Sequence, residues 1–170
     1  FLVGKIDRVD TYEKDGNVYI RVVDYKTGSK TFSMNDVKLG LNLQMLIYLF
    51  ALCSEENSVL REKTACKEQL IPAGAVYISS ISSVKESEQR PANAEEAEEY
   101  AQSVISRSGI LLADPDILLA MDKDASGKYV TIKGGKDGGI KSASAALLLE
   151  DIEEMGRLAA QVRDIVAGIA

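Results

Sequence analysis

Two alternating segments joined by a short polar turn constrain the fold of this chain more than any other feature of its sequence. Residues 1–12 place their side chains on alternate sides, and residues 18–26 are rich in β-branched and aromatic residues, as β-strands are. Between them, residues 14–17 read KDGN, which is typical of a hairpin turn. The sequence therefore predicts an antiparallel hairpin in which residue i lies opposite roughly residue 31 − i.

The rest of the chain alternates between segments with a strand pattern and segments with a helix pattern. Strands are predicted over residues 30–34, 75–81 and 128–133. Helices are predicted over residues 39–53, 93–107, 115–121 and 145–167, and residues 54–70 are expected to be loop or fraying helix. This order predicts a single domain over residues 1–170, of the α/β (α+β) class, with a mixed central β-sheet flanked by helices.

Local signals mark the ends of two of the predicted helices. Asn93 and Glu96, three residues apart, are expected to form a capping pair, and Gly109 is expected to end the helix that they begin. Asp114 and Pro115 are expected to be the N-cap and the first residue of the next helix.

The composition excludes several kinds of site. The chain has no histidine, which removes His-based catalytic triads and His–zinc sites. Its two cysteines are too few for a disulfide scaffold or a four-ligand metal site, and Cys53 is expected to be a buried, inert thiol. The glycine-rich run 134–139 lacks the spacing of a phosphate-binding loop and is expected to be a mobile loop. Catalysis must therefore use carboxylates, lysine, tyrosine or a bound metal.

Charge and hydropathy limit where the chain can act. Its net charge is −6, so it is a poor binder of nucleic acid by itself, because such affinity depends mostly on phosphate neutralisation. The longest apolar stretch, residues 43–53, is shorter than the roughly 20 residues that span a bilayer, so no membrane association is expected. The N-terminus lacks a signal-peptide pattern and begins inside a predicted strand, so we expect a cytoplasmic piece of a larger protein.

In each strand of the predicted hairpin, charged residues share a side with apolar residues. Asp24 and Lys26 continue the side of the second strand that Val22 occupies. Asp7 shares a side of the first strand with Val9 and, in the predicted register, lies opposite Asp24. Burying either charge alone is costly, so these groups must be exposed, paired with each other or bound to a cation.

A divalent cation between Asp7 and Asp24 would relieve the repulsion between their carboxylates. Ligands that are all oxygen favour Mg²⁺ or Mn²⁺ over zinc, and Lys26 could orient or help deprotonate an attacking water. Such a group suits hydrolysis of a phosphodiester. Gln44 and Tyr48, at i and i+4 of a predicted helix, need polar partners, which could be the lysine, the water or a substrate phosphate.

Three successive motifs resemble the RecB-like branch of the PD-(D/E)XK nuclease superfamily: GKIDRVD (4–10), VVDYKTG (22–28) and QMLIY (44–48). In that family G-x-x-D, D-Y-K-[ST] and Q-x-x-x-Y carry the active site of a restriction-endonuclease-like core. The resemblance implies a metal-dependent DNA nuclease that uses Mg²⁺, for which Mn²⁺ can substitute. The implied metal ligands are Asp7, Asp24 and the backbone carbonyl of Tyr25. The implied catalytic residues are Asp7, Asp24, Lys26, Gln44 and Tyr48, the last two helping to position Lys26 and the DNA.

Other stretches are similar to the C-terminal nuclease domain of the AddB (RexB) family: LGLNLQMLIYLFAL (39–52), IPAGAVYISS (71–80) and GILLADPDILLAMD (109–122). This resemblance implies an exodeoxyribonuclease in a helicase–nuclease that resects double-strand breaks for repair and recombination, with an AddA-like partner subunit. It also implies an upstream helix and a 4Fe-4S cluster bound by cysteines in flanking segments outside this chain, because Cys53 and Cys66 do not match that pattern.

Two other functions are compatible with the sequence. The chain could be a catalytically inactive nuclease-fold module that serves as a scaffold or binds DNA, or a stand-alone RecB-like nuclease of another pathway. The intact set of two aspartates and one lysine argues against the inactive module, because decay of a nuclease usually removes one of these charges first.

Overall fold

The computed structural model describes residues 4–28, 30–64, 66–80, 92–97, 105–122, 132–134, 140–143 and 146–169. The strands are β1 (Arg8–Lys14), β2 (Asn17–Lys26), β3 (Leu70–Ser80), β4 (Ile105–Leu112), β5 (Ile132–Gly134), β6 (Ile140–Ala143) and β7 (Ala146–Leu149). The helices are α1 (Met34–Lys38), α2 (Gln44–Leu52), α3 (Ser58–Thr64), α4 (Pro115–Met121) and α5 (Ile152–Ile169). Five strands form one mixed sheet in the order β1-β2-β3-β4-β7, which confirms the predicted α/β class.

The hairpin and its register are confirmed. β1 and β2 pair antiparallel, from Arg8 opposite Val23 to Lys14 opposite Asn17, which is the predicted register. The turn between the strands has positive φ at both of its residues, 53° at Asp15 and 79° at the following glycine, as a tight hairpin turn requires. β1 is shorter than the predicted strand, since its ladder with β2 begins at Arg8.

β3 lies at the centre of the sheet, parallel to β2 and antiparallel to β4. It begins at Leu70, earlier than the strand predicted over residues 75–81. The prediction that Gly109 ends a helix is wrong, because Gly109 lies within β4. A Cβ there would lie 2.1 Å from the carbonyl oxygen of Ala75, so the close approach of β4 to β3 requires glycine at this position.

Helices cover both faces of the sheet. On one face, α2 and α5 pack on the apolar side of β2 and β3, and this core contains Val18, Ile20, Val22, Leu46, Leu49, Met155, Leu158 and Val162. On the other face, Leu118 of α4 packs with Val76 of β3 and Leu111 of β4. No helix among the described residues is both long and apolar enough to cross a bilayer.

The prediction of a third strand over residues 30–34 is wrong. The backbone N–H of Lys30 donates to Oγ of Ser79 at 3.3 Å, and that of Phe32 donates to Oγ of Ser108 at 2.7 Å. The segment after β2 therefore binds serine side chains of β3 and β4 instead of the backbone of a neighbouring strand. Helix α1 follows it directly.

Two predictions for the middle of the chain hold only in part. The helix predicted over residues 39–53 begins at Gln44, as α2, and α3 forms within the region expected to be loop or fraying helix. The predicted capping pair is confirmed, because the backbone N–H of Glu96 donates to Oδ1 of Asn93 at 2.8 Å. That helix cannot reach residue 107 as predicted, because β4 begins at Ile105.

The C-terminal region combines a correct cap with an overlong helix. Asp114 caps α4 by accepting hydrogen bonds from the N–H groups of Asp116 and Ile117, as its position before a proline predicts. Residues 146–149, predicted to be helical, instead form β7, parallel to β4. Part of the strand predicted over residues 128–133 is observed as β5. Residues 128–131 and most of the glycine-rich run, 135–139, lie outside the described residues.

Candidate active site at the end of the hairpin

The register of the hairpin brings Asp7 next to Asp24. Arg8 and Val23 are the last pair of the ladder at this end. Asp7 precedes Arg8 and Asp24 follows Val23, so the two aspartates are the next residues beyond that pair. Oδ2 of Asp7 accepts a hydrogen bond from the backbone N–H of Tyr25 at 3.1 Å. The Asp7 carboxylate therefore reaches across to the β2 backbone beside Asp24, which is the arrangement that the alternation of the two strands predicts.

Asp24 is held in a half-buried position beside Lys26. The Asp24 side chain is 14% exposed, and its Oδ2 lies 2.6 Å from Nζ of Lys26. Apart from this ion pair, the buried oxygen has no hydrogen-bond partner among the described residues. A half-buried carboxylate with a single cationic partner retains lone pairs that can bind a divalent cation as a further partner.

Gln44 and Tyr48 lie together on α2, at the segment that leads into β1. Nε2 of Gln44 donates to the Tyr48 hydroxyl at 3.0 Å, which confirms that the two side chains share one side of the helix. Gly4 lies against the Tyr48 ring, so that a Cβ at Gly4 would be only 2.1 Å from the phenol oxygen. The structure thus joins the first and third motifs directly. No hydrogen bond among the described residues links either polar side chain to Lys26.

Arg8 and Asp10 lie, by the alternation of β1, on the side away from Asp7, where they form a separate charged group. Asp10 accepts hydrogen bonds from Nε of Arg8 at 2.6 Å and from Nε and a terminal nitrogen of Arg21 at 3.0 and 2.6 Å. Burial alone would raise the pKa of Asp10, but the hydrogen bonds from Arg21 and Arg8 together hold it below its ordinary value. This group is fully paired, which is typical of a structural role.

Tyr77 and Lys30 are two residues beside the site that sequence reasoning missed. Tyr77 lies on β3 opposite Asp24, and burial, with a smaller contribution from the Asp24 charge, raises the pKa of its hydroxyl. Nζ of Lys30 lies 5.8 Å from the centre of the Tyr77 ring. Their proximity depends on the parallel pairing of β2 with β3, which no local pattern in the sequence reveals.

Within the described residues, the two aspartates do not belong to a larger cluster of metal-binding side chains. No cluster of three or more histidine, cysteine or acidic side chains suited to a metal is found among them. Asp7 and Asp24 are therefore two candidate ligands that would need a backbone oxygen, water or substrate to complete a coordination shell. Cys53 and Cys66 are both free. Cys53 is half-buried rather than fully buried as predicted, and burial raises the pKa of its thiol to about 12, which is typical of an unreactive thiol.

Comparison with known proteins identifies the class to which this fold and site belong. Residues 1–125 match the family model of the PD-(D/E)XK nuclease superfamily, and the chain belongs to that superfamily. The matched region includes all three motifs and the sheet as far as β4.

Individual relatives extend the match along the chain. The chain is 35% identical over 167 residues to the AddB subunit of the ATP-dependent helicase/deoxyribonuclease of Clostridium acetobutylicum, an alignment covering 97% of this chain and 14% of that protein. It is 37% identical over 153 residues to the protein of the same name from Carboxydothermus hydrogenoformans, covering 88% of this chain and 13% of the relative. The chain thus spans about a seventh of the length of these curated relatives.

Proposed function

We propose that this domain is a Mg²⁺-dependent deoxyribonuclease that hydrolyses DNA phosphodiester bonds. The observation that carries the proposal is the half-buried Asp24 carboxylate, which lies beside Asp7 and whose buried Oδ2 has the Lys26 ammonium as its one partner among the described residues. Membership of a nuclease superfamily supports the same function.

The donor set fits a hard divalent cation. Asp7, Asp24 and the backbone carbonyl of Tyr25 would hold it, and their oxygens suit Mg²⁺, with Mn²⁺ as a substitute. When bound, the cation neutralises the charge that develops on the phosphate and activates water. The hydrogen bond from the Tyr25 N–H to Asp7 orients that carboxylate before any ligand binds.

The remaining residues of the site act on water and DNA. Nζ of Lys26, an ammonium group that donates hydrogen bonds but accepts none, would orient the attacking water and stabilise the hydroxide it becomes, while the proton of the water passes to solvent. Gln44 and Tyr48 support this arrangement from α2, where their mutual hydrogen bond fixes both polar groups and the packing of Tyr48 on Gly4 fixes the chain that leads to Asp7.

The acidic character of the chain favours a nuclease that receives DNA from another protein. With a net charge of −6, this domain needs a positively charged neighbour to hold DNA. We therefore propose that it acts in the cytoplasm as the exonuclease domain of an AddB-like protein, with an AddA-like helicase partner. In this role it would trim the 5′-ended strand at double-strand breaks during repair and recombination. A 4Fe-4S cluster would be bound by flanking segments.

The test is Asp24→Asn in the full-length protein, which keeps the shape of the side chain and removes its charge. We expect Mg²⁺-dependent cleavage of labelled DNA to fall at least about a hundredfold, because the main cation ligand is lost, while DNA binding is retained. Glu153→Gln is the matched control, since it neutralises a carboxylate that is 82% exposed and far along the chain in α5. Unchanged cleavage by the Asp24→Asn protein would refute the proposed function.

A further inference from the structure

Tyr77 is an aromatic residue next to the proposed active site that lies in none of the three motifs. It pairs with Asp24 in the parallel ladder of β2 and β3, and Ser79 pairs with Lys26. Alternate residues of a strand share a side, so the Tyr77 side chain lies on the same side of the sheet as those of Asp24 and Lys26. It is 4% exposed, so its ring is fixed by the core.

Two ammonium groups lie near this one ring. Nζ of Lys26 is 5.9 Å and Nζ of Lys30 is 5.8 Å from the centre of the Tyr77 ring. Both distances are within the roughly 6 Å over which the ring quadrupole attracts a cation. The Tyr77 ring is therefore within range to attract both ammonium groups.

Lys30 is held in place at both its backbone and its side chain. Its N–H donates to Oγ of Ser79, and its Nζ donates to Oδ1 of Asn42 at 2.5 Å. Asn42 in turn donates through Nδ2 to Oδ2 of Asp36 at 2.7 Å. A lysine with this many fixed partners has already lost much of the side-chain freedom that a flexible surface lysine would lose on binding a ligand.

The positive charge of Lys30 has no direct counter-charge among the described residues. Lys26 is ion-paired with Asp24, whereas the side-chain partner of Lys30 is a neutral amide oxygen. A fixed ammonium group without a paired carboxylate is suited to a phosphate.

We propose that Tyr77 is a positioning residue of this site, whose ring holds Lys26 beside the attacking water and Lys30 for a phosphate next to the reacting one on the same DNA strand. The roles given to the two lysines toward DNA rest on the proposed nuclease function. The placement of Lys26 and Lys30 by the Tyr77 ring, which we call the ring platform, does not. Lys30 is thus an additional substrate-binding residue, placed by the segment that replaces the expected third strand.

The ring platform is tested by the reactivity of the lysines in the full-length protein. Brief acylation with acetic anhydride, followed by mass spectrometry, reports the rates at Lys26 and Lys30 relative to the exposed Lys38 in the same molecule. In Tyr77→Leu we expect both relative rates to rise about threefold to tenfold, because the attraction of the ring is lost. In Tyr77→Phe, which keeps the ring, they should stay within about twofold of wild type.

Val76→Ala is the matched control for loss of core packing. Val76 precedes Tyr77 on β3 but is buried in the cluster on the other face, so its truncation should leave both lysine rates unchanged. The platform is wrong if Tyr77→Leu reacts like wild type, or if Tyr77→Phe reacts like Tyr77→Leu. Should Tyr77→Leu fail to fold, the wild type still decides, since equal rates at Lys26, Lys30 and Lys38 would overturn the proposal.

A separate measurement tests the phosphate contact. In Lys30→Gln we expect KM for DNA to rise with kcat within about twofold. The slope of log affinity against log salt should become less negative by roughly 0.7 to 0.9, the value of one phosphate contact. An unchanged slope would refute the assigned contact. If the wild type does not cleave DNA with Mg²⁺, the proposed function fails, but the acylation rates still decide the role of Tyr77.

Discussion

The two sides of the β1–β2 hairpin each carry a carboxylate paired with basic side chains, but they differ in how many partners the carboxylate has. On the Asp10 side, a carboxylate accepts three hydrogen bonds from the guanidinium groups of Arg8 and Arg21. On the Asp24 side, a less exposed carboxylate has the Lys26 ammonium as the one partner of its buried Oδ2 among the described residues. The comparison suggests that a carboxylate bound by several protein donors is structural, whereas one with a single ion-pair partner is a candidate cation ligand.

The sides also differ in what holds them. The Asp10 side is held by ion pairs, which salt and acid weaken. The Asp24 side is anchored to the core through the contact of Gly4 with Tyr48 and through the apolar face of β2 that precedes Asp24. Salt should therefore affect the first side and leave the second largely intact.

The largest effect on stability is expected from Gly4→Ala, which tests the packing contact. The added methyl would overlap the Tyr48 hydroxyl, so the ring or the chain entering β1 must move. We expect the free energy of unfolding to fall by about 1–3 kcal/mol, as for other overpacked contacts, and cleavage to fall at least about tenfold because Asp7 is displaced. Urea denaturation and a nuclease assay measure the two effects.

A double-mutant cycle provides the control for this prediction. In a Tyr48→Ala background the clashing ring is absent, so Gly4→Ala should cost much less than it does in the wild type. An equal cost in both backgrounds would show that the contact between Gly4 and Tyr48 does not restrict position 4.

A smaller effect is expected from Asp10→Asn, which removes the carboxylate on the structural side. We expect a loss of about 1 kcal/mol, since the group is partly exposed but binds two guanidiniums, with cleavage unchanged. Because the folded pKa of Asp10 is lowered, its contribution is fully present above the ordinary value of 3.8 and is lost as the pH falls through the folded pKa. Denaturation curves of both proteins should therefore converge in acid and in high salt. A difference that persists below that range would contradict the pairing.

What the sequence predicted well is local or follows from a turn. The KDGN turn fixes the register of the hairpin and hence the position of Asp7 opposite Asp24. The two caps, at Asn93 and Asp114, depend only on residues within one helical turn. These features could be predicted because their causes lie close together in the chain.

What the sequence failed to predict depends on contacts between distant residues. Residues 30–34 have a strand-like composition, but the hydroxyls of Ser79 and Ser108 bind their backbone instead. Residues 146–149 are a short apolar run whose periodicity does not distinguish strand from helix. They form a strand because they pair with β4. Tyr77 was missed for the same reason, because only the parallel register of β2 and β3 places it beside Asp24.

The smallest effect is expected at Tyr25, the one residue proposed to serve both sides. Its backbone carbonyl is a proposed cation ligand on the Asp24 side, whereas its side chain is 50% exposed and its hydroxyl accepts a long hydrogen bond, 3.3 Å, from Arg8. Tyr25→Phe removes only that bond, so stability should change by less than about 0.5 kcal/mol and cleavage should be unchanged. A large loss of cleavage with stability retained would mean that the phenol itself contacts DNA, and the division between a structural and a catalytic side of the hairpin would then fail at this residue.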